Sequence, residues 1–289
     1  MPSSPLHAPV LDWYAAHARD LPWRVPGTGP WAVLVSEVML QQTPVARVEP
    51  VYRAWLARWP SPADLAADAP GEAVRLWGRL GYPRRALRLH AAAVDVVERY
   101  GGELPRSYDG LRSLPGVGDY TAAAVMSFAH GARHAVLDTN VRRVLARAVG
   151  GVEQPAPSLS AAERARAEAV VPDEPEVAAR WAVAVMELGA LVCTARSPRC
   201  ETCPLRDRCA WRLAGSPAYD GPPRRVQAFA GTDRQVRGLL MAVLRDRPGP
   251  AGAEELAGVW ADGEQRDRAL AGLVSDGLVV ADGGSYRLP

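Results

Sequence analysis

All four cysteines of the chain lie in one short segment, with the spacing C-x6-C-x2-C-x5-C: Cys193, Cys200, Cys203 and Cys209. Four thiolates this close in sequence predict a metal centre, because a disulfide framework would need cysteines in distant parts of the chain. Structural zinc sites usually have two close pairs of ligands, whereas only Cys200 and Cys203 form such a pair. The wider gaps therefore favour a four-iron cluster, and zinc is the alternative.

Two carboxyl residues could divide the work of breaking a glycosidic bond. Glu37 lies in an apolar run, residues 33–40, where a carboxyl group must pair with an arginine or take up a proton more readily. Asp138 lies at the predicted start of a helix, and taken alone it is better interpreted as an N-cap. Two carboxyl groups in contrasting settings can act as acid and as charge stabiliser.

A turn with two glycines joins two predicted helices at Leu114-Pro115-Gly116-Val117-Gly118. The glycines allow a tight turn that exposes its N–H groups, and the following helix adds its positive N-terminal end. Such a hairpin can hold a DNA phosphate without reading the base sequence, although the same pattern is common in ordinary helix turns. Gly116, Val117 and Gly118 are the candidate phosphate ligands.

The elements that must position these residues are predicted to be almost all helical. Hydrophobic periodicity between Pro and Gly breaks predicts helices over 10–17, 31–41, 45–58, 63–76, 86–100, 120–129, 138–149, 161–170, 176–192, 233–245, 253–260 and 264–276. A short extended stretch is expected at 135–137, and a hairpin around Asp282-Gly283-Gly284. Residues 214–231 are rich in Pro and Gly, which is typical of a linker. The three helices and hairpin that follow predict a winged helix.

Composition excludes some functions and leaves others open. The 289 residues include 34 Lys plus Arg, and all of these are arginine, so no lysine side chain can form a Schiff base. The net charge is only +2, but short arginine clusters, such as 84–88 and 142–147, favour a polyanionic partner. Reduced thiols and the lack of a signal peptide or membrane segment predict a cytoplasmic protein. We also expect it to be nucleoid-associated and monomeric.

The motifs, taken together and in this order, resemble the endonuclease III superfamily of DNA glycosylases. Residues 21–24 (LPWR), 36–43 (SEVMLQQT) and 186–190 (MELGA) narrow the resemblance to its adenine-specific members, over about residues 8–213. It implies an all-α helix-hairpin-helix fold that binds double-stranded DNA with a mismatch or an oxidised guanine. The implied modules are an iron–sulfur module (1–29 and 136–213), a six-helix barrel module with the hairpin (30–135), a linker (214–231) and a winged-helix-like domain (232–289).

The resemblance also implies a role for each matched residue. Glu37 matches the general acid that protonates N7 of a flipped adenine, and Asp138 matches the carboxylate that stabilises the oxocarbenium ion. Tyr120 stands where strand-cleaving relatives carry the catalytic lysine, and a tyrosine there can support the acid. The four cysteines hold a [4Fe–4S] cluster. The matched residues of the adenine pocket and of the wedge that enters the duplex are Leu21, Trp23, Arg24, Val45, Gln42 and Tyr82.

The chain departs from the family pattern at two places. A larger Nudix-like domain that reads 8-oxoguanine is replaced by the shorter tail, which either serves for docking or contacts the duplex through Arg266 and Arg268. Val183 stands where a Gln or Glu often contacts adenine. Three rival functions remain. A thymine or uracil mismatch glycosylase is disfavoured because its substrate base has no N7 for Glu37 to protonate, and a strand-cleaving endonuclease III is disfavoured by the missing lysine. The third is an iron–sulfur DNA-binding regulator.

Overall fold

The computed structural model describes residues 4–221 and 229–289. Its internal contacts divide the chain into two compact units. The first unit comprises Met1–Val33, Arg106–Ser113 and Val117–Pro222, and the second comprises Leu34–Pro105, Leu114–Gly116 and Pro223–Pro289. The four-part modular division expected from the resemblance stays a prediction.

Nearly all regular structure in the described residues is helical, as predicted. The α-helices are α1 (His7–His17), α2 (Pro30–Leu40), α3 (Val45–Arg58), α4 (Pro62–Ala67), α5 (Pro70–Trp77), α6 (Arg84–Tyr100), α7 (Tyr108–Arg112), α8 (Asp119–His130), α9 (Thr139–Ala148), α10 (Ala161–Glu168), α11 (Pro175–Leu191), α12 (Ala210–Leu213), α13 (Asp233–Arg245), α14 (Ala253–Ala257) and α15 (Gly263–Ser275). Short 3-10 helices span Pro22–Arg24, Cys200–Thr202 and Arg206–Arg208.

The core of the first unit is built around α1, α9 and α11. Val10, Val144, Trp181 and Leu188 are buried together in this core, and the partly buried Cys193 and Cys203 pack against it. The apolar faces predicted from the 3.6-residue periodicity are the faces that pack. The start of α9 therefore sits on a rigid support.

The second unit has a tryptophan core beneath α3, α5 and α6. Trp55 lies edge-on to Trp59 and Trp77, with ring centroids 4.7 Å and 5.6 Å apart. The single helix predicted over 63–76 is wrong, because α4 and α5 are separate helices. Pro70 cannot donate a backbone hydrogen bond and forces Ala69 into an extended conformation, so the chain breaks before it starts α5.

The winged helix predicted for the tail is confirmed. Helices α13, α14 and α15 are followed by β2 (Val280–Asp282) and β3 (Ser285–Arg287), which pair as an antiparallel hairpin. A strand that was not predicted, β1 (Ala251–Gly252), pairs antiparallel with β3, so the sheet order is β1-β3-β2. The predicted linker lies partly outside the described residues.

Across the described ranges, no helix combines the length and the apolar character needed to cross a membrane.

Candidate active site and metal centre

The four cysteines line one open cavity in the first unit. Within residues 4–221 and 229–289, however, no three His, Cys, Asp or Glu side chains are close enough to hold a single metal ion. All four thiols nevertheless line the same space, as the shared ligands of one multi-iron cluster would. The donor set therefore suits the cluster that the spacing predicts.

Arg147 is the buried one among the arginines that line this cavity. Its side chain is only 1% exposed, and Nη1 donates to Sγ of Cys193 at 3.4 Å and to the Thr194 carbonyl at 2.8 Å. The guanidinium also lies over the ring of Trp211, 5.0 Å from its centroid. Burial raises the pKa of Cys203 to about 11, so its thiol must lose a proton when it ligates iron. The buried guanidinium of Arg147 offsets part of the negative charge of the thiolates.

Asp138 is the N-cap of α9, as predicted, and both of its carboxylate oxygens are occupied. Oδ1 accepts from the Val141 backbone N–H at 2.6 Å, and Oδ2 accepts from Nδ2 of Asn140 at 2.7 Å. Burial raises the pKa of Asp138 from its usual value, although these hydrogen bonds oppose the shift. The carboxylate is thus oriented but incompletely solvated, which strengthens its attraction to a nearby cation.

Asn140 and Arg143 connect Asp138 to the cysteine loop. Oδ1 of Asn140 accepts from Nη2 of Arg143 at 2.9 Å, and the buried Arg143 also donates to the carbonyls of Cys193 and Gly189, both at 2.7 Å. Gly189 must be glycine, since a Cβ there would lie 2.7 Å from Cβ of Asn140. The orientation of Asp138 therefore depends on the loop that starts at Cys193.

Glu37 lies in the second unit, on the last turns of α2, and is only 5% exposed. Its neighbour Ser36 is equally inaccessible, at 1% exposure. The apolar run predicts this burial correctly, since α2 presents its apolar side chains all round. Burial disfavours the charged form of a carboxyl group.

The helix-hairpin-helix consists of α7, the turn over 113–118 and α8. Gly116 requires glycine, because its φ is +79° and a Cβ would lie 2.8 Å from Cβ of Arg88. Gly118 has an ordinary extended backbone, and nothing in the described residues lies within 4 Å of where its Cβ would be. Val117 is buried and anchors the turn. Tyr120, in the first turn of α8, is half-buried and packs against Ala123 and Val136.

The two predicted wedge residues share an unusual backbone conformation. Gln42 has φ 55° and Tyr82 has φ 49°, and in the described chain Ser216 is the other non-glycine residue with a positive φ. Both wedge side chains are exposed, Tyr82 by 52%. A left-handed conformation costs a non-glycine residue about 1 kcal/mol or more, so the surrounding structure must enforce it.

Arg85 enforces both turns. This 8% exposed side chain donates to the carbonyls of Val38 at 2.8 Å and Gln41 at 2.7 Å, in the segment that leads to Gln42. It also donates to the carbonyl of Gly81 at 3.0 Å, next to Tyr82, and its guanidinium lies 5.6 Å from the Tyr82 ring centroid. Burial lowers the pKa of Arg85 to about 10. One guanidinium therefore ties the two wedge turns together.

The predicted pocket residues are divided between the units. In the first unit Leu21 and Trp23 are buried, at 5% and 8% exposure. Nη1 of Arg24 is buried and lacks an acceptor among the described residues, so it has a donor to offer a ligand. Val45, in the second unit, is half-buried at the start of α3. Their contact with a base stays a prediction.

The sequence singled out Glu187 only as part of the motif at 186–190. In the structure it pairs with Arg24, one of the predicted pocket residues. It is completely buried and accepts from Nε and Nη2 of Arg19, both at 2.7 Å, and from Nη2 of Arg24 at 3.0 Å. Burial acts to raise the pKa of Glu187, but these hydrogen bonds outweigh it and hold the pKa at about 2. The pair of arginines fixes the segment 19–24 against α11.

We expect Glu187→Gln to lower the free energy of unfolding at neutral pH by about 3 kcal/mol, because it leaves two guanidiniums without their buried counterion. Since the folded pKa of Glu187 lies below its ordinary 4.5, the stabilisation is complete above that pH and disappears as the pH falls toward about 2. Urea unfolding from neutral pH to about pH 3 measures this. Glu49→Gln, which breaks an exposed pair with Arg53, is the control and should cost under about 1 kcal/mol. An equal loss in both variants would contradict the assignment.

Comparison with known proteins agrees with this geometry. Residues 35–169 match the family model of the HhH-GPD superfamily base excision DNA repair proteins, and residues 193–209 match the iron–sulfur binding domain of endonuclease III. A thermostable thymine-DNA glycosylase superposes with a TM-score of 0.65 at 29% identity, over 71% of this chain and 94% of that one. A trapped endonuclease III–DNA covalent intermediate superposes with a TM-score of 0.60 at 25% identity, over 71% and 93%.

These matches define the class: base excision DNA repair glycosylases with a helix-hairpin-helix fold and an iron–sulfur domain. The predicted fold and the predicted [4Fe–4S] cofactor are thereby confirmed. The adenine DNA glycosylase of Mycolicibacterium smegmatis is 53% identical over 95% of this chain and 93% of its own length. The chain belongs to the adenine DNA glycosylase family.

Proposed function

We propose that this protein is a monofunctional DNA glycosylase that hydrolyses the N-glycosidic bond of adenine opposite 8-oxoguanine or guanine in duplex DNA. The observation that carries the proposal is the carboxylate of Asp138, oriented through both oxygens at the start of α9 and destabilised by burial. Such a group is suited to a substrate that becomes positively charged as it reacts. Membership of the adenine DNA glycosylase family supplies the choice of base.

The proposed reaction has two linked events. Glu37 gives its proton to N7 of the everted adenine, so that the base leaves as a neutral species when the bond between N9 and C1′ breaks. The sugar becomes an oxocarbenium ion, which the negative charge of Asp138 stabilises until water adds at C1′. Tyr120 is proposed to support the acid. Nη1 of Arg24, a buried donor without an acceptor in the described chain, is available to the base or its sugar.

Access to the base requires that it leave the helical stack. Gln42 and Tyr82 are proposed to enter the duplex, because both are exposed and both are held in strained turns by Arg85. Eversion costs a few kcal/mol and is cheapest at a mismatch, which favours mispaired adenine. Gly118 is proposed to take a DNA phosphate, since the space beside its Cα is open. When bound, the iron–sulfur cluster, held by the four cysteines, supplies a fixed scaffold for its loop.

The protein should release adenine without cutting the strand. No lysine is present to form a Schiff base with C1′, so the lyase reaction lacks its usual nucleophile. In single-turnover assays, adenine opposite 8-oxoguanine or guanine should be removed, and the product strand should break only after alkali treatment. Borohydride should trap no protein–DNA adduct, with a lysine-containing endonuclease III as the positive control. A trapped adduct at the level of that control would overturn the monofunctional assignment.

A thymine or uracil glycosylase is the second candidate, because a thymine-DNA glycosylase shares the fold. The same assay includes thymine and uracil opposite guanine. A pyrimidine has no N7 for Glu37 to protonate, so it should be removed more slowly than adenine. Faster removal of either pyrimidine would favour this candidate.

A further inference from the structure

The winged-helix module contacts α5 and α6, the helices on either side of the turn that contains Tyr82. Within the second unit, Nη1 of Arg75 on α5 donates to two carbonyls at the end of α13. That of Leu244, in the last turn, is at 3.4 Å, and that of Arg247, just beyond the helix, is at 2.7 Å. Arg84 on α6 forms an ion pair with Asp276 at 3.2 Å. The first contacts hold the end of α13 to α5, and the ion pair holds the end of α15 to α6; α5 and α6 flank the turn at Tyr82.

Arg234, in the first turn of α13, lies between two exposed aromatic rings. Its guanidinium carbon is 5.5 Å from the ring centroid of Tyr82 and 5.7 Å from that of Phe229. Tyr82 is 52% exposed and Phe229 is 55% exposed, and Phe229 is one of only two phenylalanines in the sequence. Large aromatic rings left open to solvent beside a cation are typical of surfaces that stack on nucleotides.

The charge of Arg234 is available, unlike that of Arg266 and Arg268 in the same module. In the part of the chain that the structure describes, no ion pair involves Arg234. By contrast, Arg268 donates to both carboxylate oxygens of Asp233 at 2.9 Å and 3.0 Å. Arg266 pairs with Asp267 at 2.8 Å and donates to the Ala257 carbonyl. The two arginines that the sequence offered as one alternative for duplex contact are thus each paired with a carboxylate.

We propose that Arg234 is a positioning and DNA-contact residue through which the winged-helix module takes part in base eversion. The inference rests on the proposed function, because it places Arg234 beside the residue that is to enter the duplex. The planar guanidinium stacks on Tyr82 and restricts its ring to the wedge orientation. The remaining N–H donors of Arg234 face a DNA phosphate. The ring of Phe229 faces a base or sugar of the DNA.

The test compares Arg234→Ala and Arg268→Ala in the full-length, cluster-loaded protein. Both remove one exposed arginine from the same module, but only the first removes the stack on Tyr82. A duplex with a non-hydrolysable 2′-fluoro adenosine opposite 8-oxoguanine reports affinity, and 2-aminopurine beside the target reports unstacking. We expect Arg234→Ala to bind about fivefold more weakly, with a salt slope reduced by about one unit and a smaller fluorescence rise, and Arg268→Ala to match the wild type.

Arg234→Lys separates stacking from charge. It should restore the salt slope, because an ammonium can still meet a phosphate, while the 2-aminopurine signal stays low, because it lacks the planar face. If Arg234→Ala and Arg268→Ala both match the wild type in affinity, slope and fluorescence, the inference is wrong while the proposed function stands. If the wild-type protein removes no adenine from either duplex, the proposed function itself fails. Should Arg234→Ala not fold, full wild-type fluorescence in Arg234→Lys would overturn the inference.

Discussion

The Asp138→Asn variant should lose at least about a thousandfold in the single-turnover rate of adenine release and still bind duplex DNA like the wild type. The amide oxygen can keep the hydrogen bond from the Val141 N–H, while the amide nitrogen faces Nδ2 of Asn140 and the second hydrogen bond is lost. What disappears is the negative charge that is proposed to stabilise the developing oxocarbenium ion. A residual rate within about tenfold of the wild type would rule out this role.

Stability distinguishes this catalytic role from a purely structural one. Because burial raises the pKa of Asp138 above 3.8, its ionised form is less favourable in the folded than in the unfolded chain at neutral pH. Replacing it with a neutral amide removes this cost together with the hydrogen bond from Asn140, so the free energy of unfolding should change by no more than about 1 kcal/mol. Asp262→Asn is the matched control, since Asp262 caps α15 with a 3.0 Å bond from the Gln265 N–H. The control should keep full activity.

The same raised pKa predicts how the wild-type rate depends on pH. Asp138 must be ionised to stabilise a cation, so the excision rate should fall as the pH is lowered through a pKa above 3.8.

Local patterns in the sequence were sufficient for most helices and for the N-cap at Asp138. The boundaries of α3 and α13 agree with the periodicity, and the burial of Glu37 follows from its apolar neighbours. The break between α4 and α5 was missed, although Pro70 signals it, because the helical spacing continues across the proline. Such signals act within a few residues of one another, which is why they can be read from one chain.

The arginine clusters show what local patterns could not reveal. They favoured a basic surface, yet Arg85, Arg143 and Arg147 are buried and bond backbone carbonyls at helix ends and in loops. Their partners come from segments that the fold brings together, and arginine composition carries no information about such pairing. A buried guanidinium that satisfies several carbonyls at once orders a site, whereas an exposed one attracts a phosphate. The strained φ angles of Gln42 and Tyr82 were likewise invisible before the backbone was known.

The second large effect is expected for Glu37→Gln. If the carboxyl group donates the proton that makes adenine a good leaving group, its amide should lower the single-turnover rate by about 10² to 10⁴-fold, while affinity for a mismatched duplex stays the same. Glu98→Gln, on the exposed face of α6, is the control and should have no effect.

Substrate chemistry tests the same proton transfer without changing the protein. In 7-deazaadenine a carbon replaces N7, so the base cannot accept a proton there, and the wild-type protein should bind this duplex but release no base. The loss caused by Glu37→Gln on adenine should therefore approach the loss caused by the deaza substitution in the wild type, since both remove one proton transfer. Rapid release of 7-deazaadenine by the wild type would mean that Glu37 acts elsewhere than at N7, because no protonated leaving group could then form at that atom.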